Sequence, residues 1–275
     1  MGRNILITGA SSGIGKAAAL RLLAEGWNVY AVARRISRLS DLEEKGAVII
    51  AMDLTDEESV IHGVAQIQNQ AGTIDILINN AGYGEYGSIE EVSTDEAKKQ
   101  FEVNVFGLAR ITRLVLPRMR ENRYGKIINI SSMAGKATSP MGGWYHASKH
   151  AVEALSDALR MEVRQFGIDV IIIEPGAVKS EWADIAKDNL LKTSGHGPYI
   201  RYAEAMSTLI DKFYSGKKLT TPDKIADVIV EAINAAKPRP RYIATRDARG
   251  FILLKWLLPD RMFDHLLLRM MKVSK

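Results

Sequence analysis

Two kinds of hydrophobic segment alternate along most of the chain: short segments with apolar residues at consecutive positions, and longer segments with apolar residues three and four positions apart. Short runs rich in Val and Ile are apolar at consecutive positions, as in strands covered on both faces of a parallel sheet. They predict strands over residues 4–8, 28–33, 47–52, 74–79, 125–131, 169–174 and 241–244. Longer stretches with apolar residues three and four positions apart predict helices over residues 14–25, 56–70, 95–121, 146–166 and 223–236. This alternation predicts an α/β fold with a doubly wound parallel sheet of the Rossmann type.

A single domain over residues 1–275 is expected, because no internal repeat, low-complexity tract or linker interrupts the pattern. Two segments depart from the alternation. Residues 177–220 fit no strand position and mix polar residues with scattered large apolar ones, so we expect a substrate-loop insertion at the C-terminal edge of the sheet. Residues 246–275 form a tail that is both apolar and basic.

The composition narrows the classes of protein that need to be considered. The chain has no cysteine, which excludes disulfides and thiolate metal sites and fits a reducing compartment. Neither a signal-peptide pattern nor a run of about 18 apolar residues occurs, so we expect a cytoplasmic protein. The net charge is +5 without a long block of Lys and Arg, so no nucleic-acid surface is expected.

A glycine-rich turn follows the first predicted strand and leads into a helix. Its sequence is Thr8-Gly9-Ala10-Ser11-Ser12-Gly13-Ile14-Gly15. Glycine permits positive φ and close backbone approach, and a helix N-terminus offers N–H groups to a pyrophosphate. An ordinary glycine turn is the alternative, but the strand before it and the helix after it favour dinucleotide binding.

The ends of the next strands carry further candidate cofactor contacts. The second strand ends at Ala33 and is followed by Arg34 and Arg35, whose guanidinium groups can bind a 2′-phosphate, whereas NAD usually meets an acidic residue there. This position predicts NADP(H), with Arg34 preferred over Arg35, although a solvated arginine pair is the alternative. Later strand ends supply small or polar residues that can line the cofactor: Asp53, Leu54, Asn80, Ala81 and Gly82.

Tyr145 and Lys149 stand four residues apart, and Ser132 lies thirteen residues upstream of Tyr145. Together with the glycine turn, these residues resemble the short-chain dehydrogenase/reductase family, in its shorter, single-domain branch. The matching segments also include Asp53, Asn79–Gly82, Asn104 and Pro175-Gly176, and they span about residues 4–180 in the expected order. The apolar tail is similar to that of members resembling 17β-hydroxysteroid dehydrogenases.

The resemblance implies a role for each matching residue. Tyr145 acts as the general acid or base, Lys149 lowers the pKa of the phenol and holds the nicotinamide ribose, and Ser132 binds the substrate oxygen. Asn104 holds a water that links Lys149 to solvent. The cofactor carries the hydride, and no metal is needed. Further cofactor contacts come from Pro175, Gly176, Val178 and Ser180, and Ser180 stands where the family often has Thr.

Large apolar side chains near the predicted site suggest a wide apolar substrate pocket, although core packing explains several of them equally well. They are Met133, Met141, Trp144, Trp182, Ile185, Tyr199, Tyr202 and Met206. We expect a bulky ketone or secondary alcohol of the steroid, retinoid or acyl-chain type. The alternatives from other classes are a non-catalytic nucleotide-sensing protein and a membrane-peripheral lipid-binding protein on the same fold.

Two surfaces suggest partners. The helix that follows Tyr145 has one face of small residues and one of larger residues, which favours packing on the sheet and on a second subunit in a dimer or tetramer; a helix buried within a monomer is the alternative. The basic, apolar tail suits a membrane surface, but a lid, an oligomer contact or plain packing is the preferred interpretation.

Overall fold

The computed structural model describes residues 3–214 and 219–273, so residues 1–2, 215–218 of the predicted insertion and 274–275 of the predicted tail lie outside the described residues. The described residues form seven strands: β1 Asn4–Thr8, β2 Asn28–Ala33, β3 Val48–Ala51, β4 Ile76–Asn79, β5 Gly125–Ile130, β6 Ile168–Glu174 and β7 Arg241–Ile243. The helices are α1 Gly13–Ala24, α2 Ser40–Glu43, α3 Glu57–Ala71, α4 Thr94–Phe101, α5 Leu108–Glu121, α6 Gly143–Val163, α7 Trp182–Ser194, α8 Ile200–Tyr214, α9 Pro222–Asn234, α10 Arg246–Leu257 and α11 Asp260–Met270.

All seven strands join one parallel sheet in the order β3-β2-β1-β4-β5-β6-β7. The chain winds outward from β1 in one direction and, after β3, from β4 in the other. The predicted doubly wound Rossmann-type sheet is therefore confirmed. The reversal lies between β1 and β4, and ligands of such sheets bind beyond the carboxyl ends of the strands at this point.

Both faces of the sheet are covered, which explains the continuous apolar runs in the strands. In β1, Ile5 and Ile7 pack on one side with α1 and α9, whereas Leu6 packs on the other side with α3 and α5. Successive side chains of a strand point to opposite faces, so a strand between two helical layers must be apolar at both.

The predicted helix over residues 95–121 contains an interruption that the pattern did not predict. Between α4 and α5, residues Glu102–Gly107 form a π-helical segment. A side chain added to Gly107 would stand 2.8 Å from the Leu54 Cβ, so this segment approaches the end of β3 closely. π-Helical segments occur often at functional sites, and this one contains Asn104.

The segments that fitted no strand position are mainly helical. Helices α7 and α8 pack together with Tyr86 and Tyr145 in one apolar cluster over the end of the sheet. Helices α10 and α11 form a separate, smaller apolar cluster, in which Phe263 packs with Ala137 and Leu267 and is fully buried. No helix in the described ranges is both long and apolar enough to cross a membrane.

Candidate active site

The glycine turn requires glycine at specific positions. Gly9 and Gly13 have positive φ values of 65° and 54°, which L-residues with side chains rarely adopt. A Cβ at Gly9 would lie 2.8 Å from the Ala81 Cα, and a Cβ at Gly15 would clash with the Asn80 side-chain amide and the Gly9 carbonyl. The turn is therefore pressed against the segment that follows β4.

Thr8 and Asn80 hold this contact together. The Thr8 hydroxyl accepts hydrogen bonds from the backbone N–H of Asn80 (3.0 Å) and of Ala81 (3.1 Å). In return, the Asn80 side-chain amide donates to the carbonyls of Thr8 and Gly9, at 3.0 and 3.1 Å. The two strand ends at the topological reversal are thus fixed to each other before any ligand binds.

The residues at this reversal fit a dinucleotide. Ser12 caps α1 without a side-chain hydrogen bond to the helix, so the first N–H groups of α1 are available to an anionic group. Every predicted cofactor residue except Gly15 lines one continuous cavity. Gly15 is buried behind the turn, where its lack of a side chain permits the packing against Asn80.

Arg34 and Arg35 are exposed and line the cavity just after β2. Arg38 lies close by in sequence, but its guanidinium pairs with the Glu181 carboxylate at 3.1 Å. At the end of β3, one Asp53 carboxylate oxygen accepts from the N–H and the hydroxyl of Thr55, at 3.0 and 2.8 Å. This part of the cavity therefore combines two guanidinium groups with an oriented carboxylate.

Asn104 lies behind the cavity wall and does not line the cavity. Its side-chain oxygen accepts from the Tyr83 N–H at 3.1 Å, and its amide donates to the Tyr83 carbonyl and the Ser148 hydroxyl, both at 3.0 Å. Ser148 in turn donates to the Tyr145 carbonyl at 2.7 Å. The Asn104 side chain thereby joins the π-helical segment to α6; its role in holding a water stays a prediction.

Ser132 and Tyr145 stand together in the cavity, and both are buried. Burial raises the pKa of Tyr145 to about 12, and a hydrogen bond with the Ser132 side chain opposes that increase. The expectation of a lowered phenol pKa is therefore wrong for this structure, because loss of hydration disfavours the phenolate more than its neighbours stabilise it. Tyr145 is held as a neutral phenol, which can donate a proton.

Lys149 lies one helical turn beyond Tyr145 on α6. Its ammonium donates to the Ile130 carbonyl at 2.8 Å. Burial lowers the pKa of Lys149 to about 8, while the Glu153 carboxylate, one further turn along α6, opposes that shift. Lys149 therefore titrates near neutral pH, where it can gain or release a proton.

The loop after β6 is held by residues that the sequence analysis missed. The Gly176 N–H donates to the Thr245 hydroxyl at 3.0 Å, and the Ala177 N–H donates to the Asp247 carboxylate at 2.8 Å. Thr245 also caps α10 by accepting from the Ala248 N–H. Thr245 and Asp247 follow a strand and open a helix, so their sequence signal is that of an ordinary helix start, with no indication of a contact about seventy residues away.

The cavity has a volume of about 600 Å³ and continues from the glycine turn to Tyr145 and beyond, between α7, α8 and the tail. Four of the predicted pocket residues line it: Met133, Trp182, Ile185 and Met206. The other four do not. Met141 is buried in the adjoining apolar cluster, Trp144 packs on Phe101, Tyr199 donates to Glu90 at 2.7 Å, and Tyr202 packs at the edge of the cluster.

Further lining residues come from elements whose position the sequence did not reveal. Helix α8 contributes Leu209, Ile210, Phe213 and Tyr214, and the tail contributes Asp247, Phe251, Leu267 and Met270. Tyr86, from the loop after β4, lies 5.9 Å from Tyr145 and 5.8 Å from Trp182 between ring centroids. The tail thus forms one wall of the cavity.

The glycine turn, Ser132, Tyr145 and Lys149 therefore open into the same cavity, and residues 3–190 match the family model described as short chain dehydrogenase. The chain belongs to the short-chain dehydrogenase/reductase family. It is an oxidoreductase of that family by fold, by family model and by its relatives.

Three relatives show the range of this similarity. A probable short-chain type dehydrogenase/reductase of Helicobacter pylori is 37% identical over 95% of each chain. The NADPH-dependent 3-dehydrocapnine reductase of Ornithobacterium rhinotracheale is 36% identical over 98% of each chain. The 3-ketodihydrosphingosine reductase of Bacteroides thetaiotaomicron is 44% identical over 66% of this chain and 65% of its own length.

Solved structures agree with the fold. A short-chain dehydrogenase from Streptomyces avermitilis superposes with a TM-score of 0.83 at 33% identity, covering 100% of this chain and 97% of that one. A family member from Burkholderia phymatum in complex with NAD gives a TM-score of 0.79 at 27% identity over 92% of each chain. A serine dehydrogenase complexed with NADP+ gives 0.77 at 27% identity, covering 87% of this chain and 93% of that one.

Proposed function

We propose that this protein is an NADP(H)-dependent oxidoreductase that interconverts a ketone and a secondary alcohol on a bulky apolar substrate. The observation that carries the proposal is the joint placement of Ser132, Tyr145 and Lys149 in the cavity that begins at the glycine turn and Arg34. A proton donor and a cofactor cradle open into one space, while apolar side chains line most of the remainder.

The proton chemistry follows from the two perturbed pKa values. Tyr145, with a pKa of about 12, stays protonated at neutral pH and donates its proton to the carbonyl oxygen, while the Ser132 hydroxyl holds that oxygen as charge develops. The cofactor, when bound, supplies the hydride to the carbonyl carbon. Lys149, with a pKa of about 8, can return a proton towards Tyr145 from the next helical turn. The reverse sequence oxidises the alcohol.

Arg34 and Arg35 support NADP(H) over NAD(H). Both guanidinium groups are exposed to the cavity after β2, where the 2′-phosphate of the adenosine ribose would lie. A 2′-phosphate could accept charge-assisted, bidentate hydrogen bonds from these guanidinium groups. The 2′-OH of NAD would instead donate to an acidic residue at this position, where this chain has Arg34. The similarity to a relative named as NADPH-dependent points the same way, although one structural neighbour is a complex with NAD.

We favour an acyl-chain substrate among the three bulky classes. The cavity extends past Tyr145 between α8 and the tail, and Ile210, Phe213, Phe251 and Met270 line this extension. Two relatives are named as reductases of 3-ketodihydrosphingosine and 3-dehydrocapnine. An apolar extension suits a flexible chain, because burial of each CH₂ group contributes about 0.8 kcal/mol of favourable transfer free energy.

The experiment that tests the function follows NADPH consumption with a panel of apolar ketones that includes steroids, retinoids and long-chain ketones. We expect turnover with at least one long-chain ketone. Turnover should be lost in Ser132→Ala, which removes one of the two hydroxyls, Ser132 and Tyr145, that are proposed to contact the substrate oxygen. The proposal is wrong if the purified protein binds NADPH but consumes it with none of these ketones.

A homo-oligomer is part of the proposal. A groove of about 410 Å³ runs between α5 and α6 and is lined by Leu116, Leu155 and Leu159. Leu155, which lines this groove, is 44% exposed. This apolar surface supports a second subunit on the outer face of α6, and gel filtration with light scattering measures whether Leu155→Lys converts the assembly to monomers.

The tail supports a second role as a peripheral membrane contact. Its inner side lines the cavity, while its outer side exposes Leu253, Trp256, Leu257 and Met262, with Trp256 78% exposed. Basic residues Lys255 and Arg261 flank this patch. Such a surface can lie on anionic lipid. Co-sedimentation with anionic vesicles tests it, and an unchanged affinity in a Leu253→Ser, Trp256→Ser, Leu257→Ser variant would contradict it.

A further inference from the structure

His146 is a buried polar side chain at the active site that the proposed mechanism does not use. It follows Tyr145 on α6 and lines the same cavity. Both of its ring nitrogens have partners in the loop that joins Ser132 to α6. Nδ1 lies 3.1 Å from the Ala134 carbonyl oxygen, and Nε2 lies 3.2 Å from the Ser139 backbone nitrogen and 3.0 Å from the Ser139 hydroxyl oxygen.

These partners determine where the proton of the imidazole lies. A backbone N–H can only donate, so Nε2 accepts from Ser139 and carries no proton. The proton is therefore on Nδ1, which donates to the Ala134 carbonyl. Burial lowers the pKa of His146 to about 4, and the bond to the Ala134 carbonyl opposes that shift, so the ring is neutral at neutral pH. Protonation of Nε2 would set one N–H against another.

Ala134 connects this ring to the hydroxyl of Ser132. Its N–H donates to the Ser132 Oγ at 3.1 Å, so one residue both accepts from His146 and donates to Ser132. The Ser132 hydroxyl also donates to the Pro175 carbonyl at 3.5 Å, which is a long and therefore weak hydrogen bond. Because the Ala134 N–H occupies a lone pair of Oγ, the hydroxyl proton can turn from Pro175 to a substrate oxygen while Oγ keeps a partner.

The loop between Ser132 and α6 needs fixed contacts to keep its shape. Met141 has a positive φ of 64°, a conformation that residues with a side chain rarely adopt. The ring of His146 approaches Gly142 so closely that a Cβ there would lie 2.9 Å from Nε2. The imidazole therefore packs inside this loop and holds it at two points through its two nitrogens.

We propose that His146 is a positioning residue of the reaction, whose Nδ1–H holds Ala134 so that the Ser132 hydroxyl faces the substrate oxygen. The inference rests on the proposed function, because it assigns a role within that reaction. His146 exchanges no proton with the substrate, since Nδ1 is bonded to a carbonyl and Nε2 to an N–H. Its contribution is to kcat rather than to cofactor affinity, because these contacts involve neither the glycine turn nor Arg34.

Three substitutions separate the contributions of the two nitrogens. In His146→Asn the amide nitrogen can replace Nδ1 as the donor to Ala134, whereas in His146→Gln the longer side chain places its amide near the position of Nε2. His146→Phe keeps a ring and removes both nitrogens. We expect His146→Asn to keep kcat within about threefold of the wild type, and the Gln and Phe variants to lower kcat by roughly tenfold or more. The dissociation constant of NADPH should change in none of the three.

Urea unfolding and NADPH binding distinguish this role from a purely structural one. A structural role would lower stability, cofactor affinity and kcat together, and Asn would restore kcat no better than Gln. His150→Gln is the matched control, because His150 lies one turn further along α6, is exposed and does not line the cavity. Its Nδ1 contacts the His146 backbone carbonyl and not the His146 ring. The control should leave kcat unchanged.

Nitrogen NMR of histidine-labelled protein measures the tautomer directly, with the His146 signals assigned from their absence in His146→Gln. We expect a neutral ring with its proton on Nδ1, unchanged between about pH 6 and about pH 8. A proton on Nε2 would overturn the inference independently of catalysis. Equal kcat in the Asn and Gln variants, or a wild-type kcat in His146→Phe, would also overturn it and leave the proposed function standing. If the wild type binds NADPH but reduces no ketone, the proposed function fails and the inference fails with it, whatever the tautomer.

Discussion

Replacing Lys149 with Met should stabilise the protein at neutral pH by up to about 2 kcal/mol, once the lost hydrogen bond is subtracted, while it abolishes turnover. The ammonium is buried, and burial lowers the pKa of Lys149 from 10.5 to about 8. This difference means that the protonated side chain lowers the free energy of unfolding by about 3 kcal/mol. Met fills a similar volume without a charge, so it avoids that cost.

The sign of the pH dependence follows from proton binding in the two states. Below a pH of about 8, Lys149 is protonated in both states, and the folded wild type carries the full cost. Between about 8 and 10.5 the unfolded chain holds a proton that the folded chain has released, so wild-type stability rises with pH. The Met variant has no such group. Its advantage over the wild type should therefore fall by about 3 kcal/mol across this window.

The lost hydrogen bond does not obscure this test. The Ile130 carbonyl, which accepts from Lys149 at 2.8 Å, is left unsatisfied in the variant and costs about 1–3 kcal/mol at every pH. Urea unfolding of both proteins without cofactor, at about pH 7 and about pH 10, gives the two free energies of unfolding. An advantage that is independent of pH would show that Lys149 has an ordinary pKa in the folded protein, and the reasoning would be refuted.

Three further predictions concern the cofactor, the acid and the tail. Tyr145→Phe should lower kcat by roughly 10²–10⁴-fold with NADPH affinity nearly unchanged, and a smaller loss would remove Tyr145 from the acid/base role. Arg34→Asp should shift the kcat/KM ratio from NADPH towards NADH by roughly tenfold to a hundredfold; an unchanged ratio, with Arg35→Ala showing the shift instead, would transfer the phosphate contact to Arg35. Phe251→Ala should raise KM for a long-chain ketone, because Phe251 lines the cavity, whereas Leu257→Ala on the exposed side of the same helix should not; equal effects would contradict a wall formed by the tail.

Much of the fold could be predicted because short sequence patterns determine the type and the approximate bounds of its helices and strands. Continuous Val and Ile runs require two covering layers, and this requirement defines a doubly wound sheet without any knowledge of strand order. The start of α9 illustrates the same point: Thr221 is its N-cap and Pro222 its first residue, as the Thr-Pro-Asp sequence indicates. The π-helical segment at Asn104 was missed because it differs from an α-helix in its backbone hydrogen bonds, which a hydrophobic pattern over six residues does not report.

The cofactor end of the site was more predictable than the substrate end. The glycine turn and the other cofactor residues directly follow strands. Because the carboxyl ends of parallel strands meet at one edge of the sheet, the sequence already predicts that these residues lie close together. At the substrate end, Tyr214 lines the cavity from α8 and Asp247 lines it from α10. The hydrophobic pattern of a helix shows which of its faces is buried, but it does not show which part of the sheet edge the helix covers. The pKa of Tyr145 was predicted in the wrong direction because the sequence shows the nearby lysine but not the depth of burial.

The most direct test of the central claim follows a hydride from NADPH to a ketone. The wild-type protein is mixed with a long-chain ketone and NADPH that carries deuterium at the transferable position of the nicotinamide, and the product is analysed by mass spectrometry. We predict an alcohol with one deuterium at the carbinol carbon, formed by the wild type and, under the same conditions, at least about a hundredfold more slowly by Tyr145→Phe. An unlabelled alcohol, or equal rates for the two proteins, would contradict hydride transfer with Tyr145 as the proton donor.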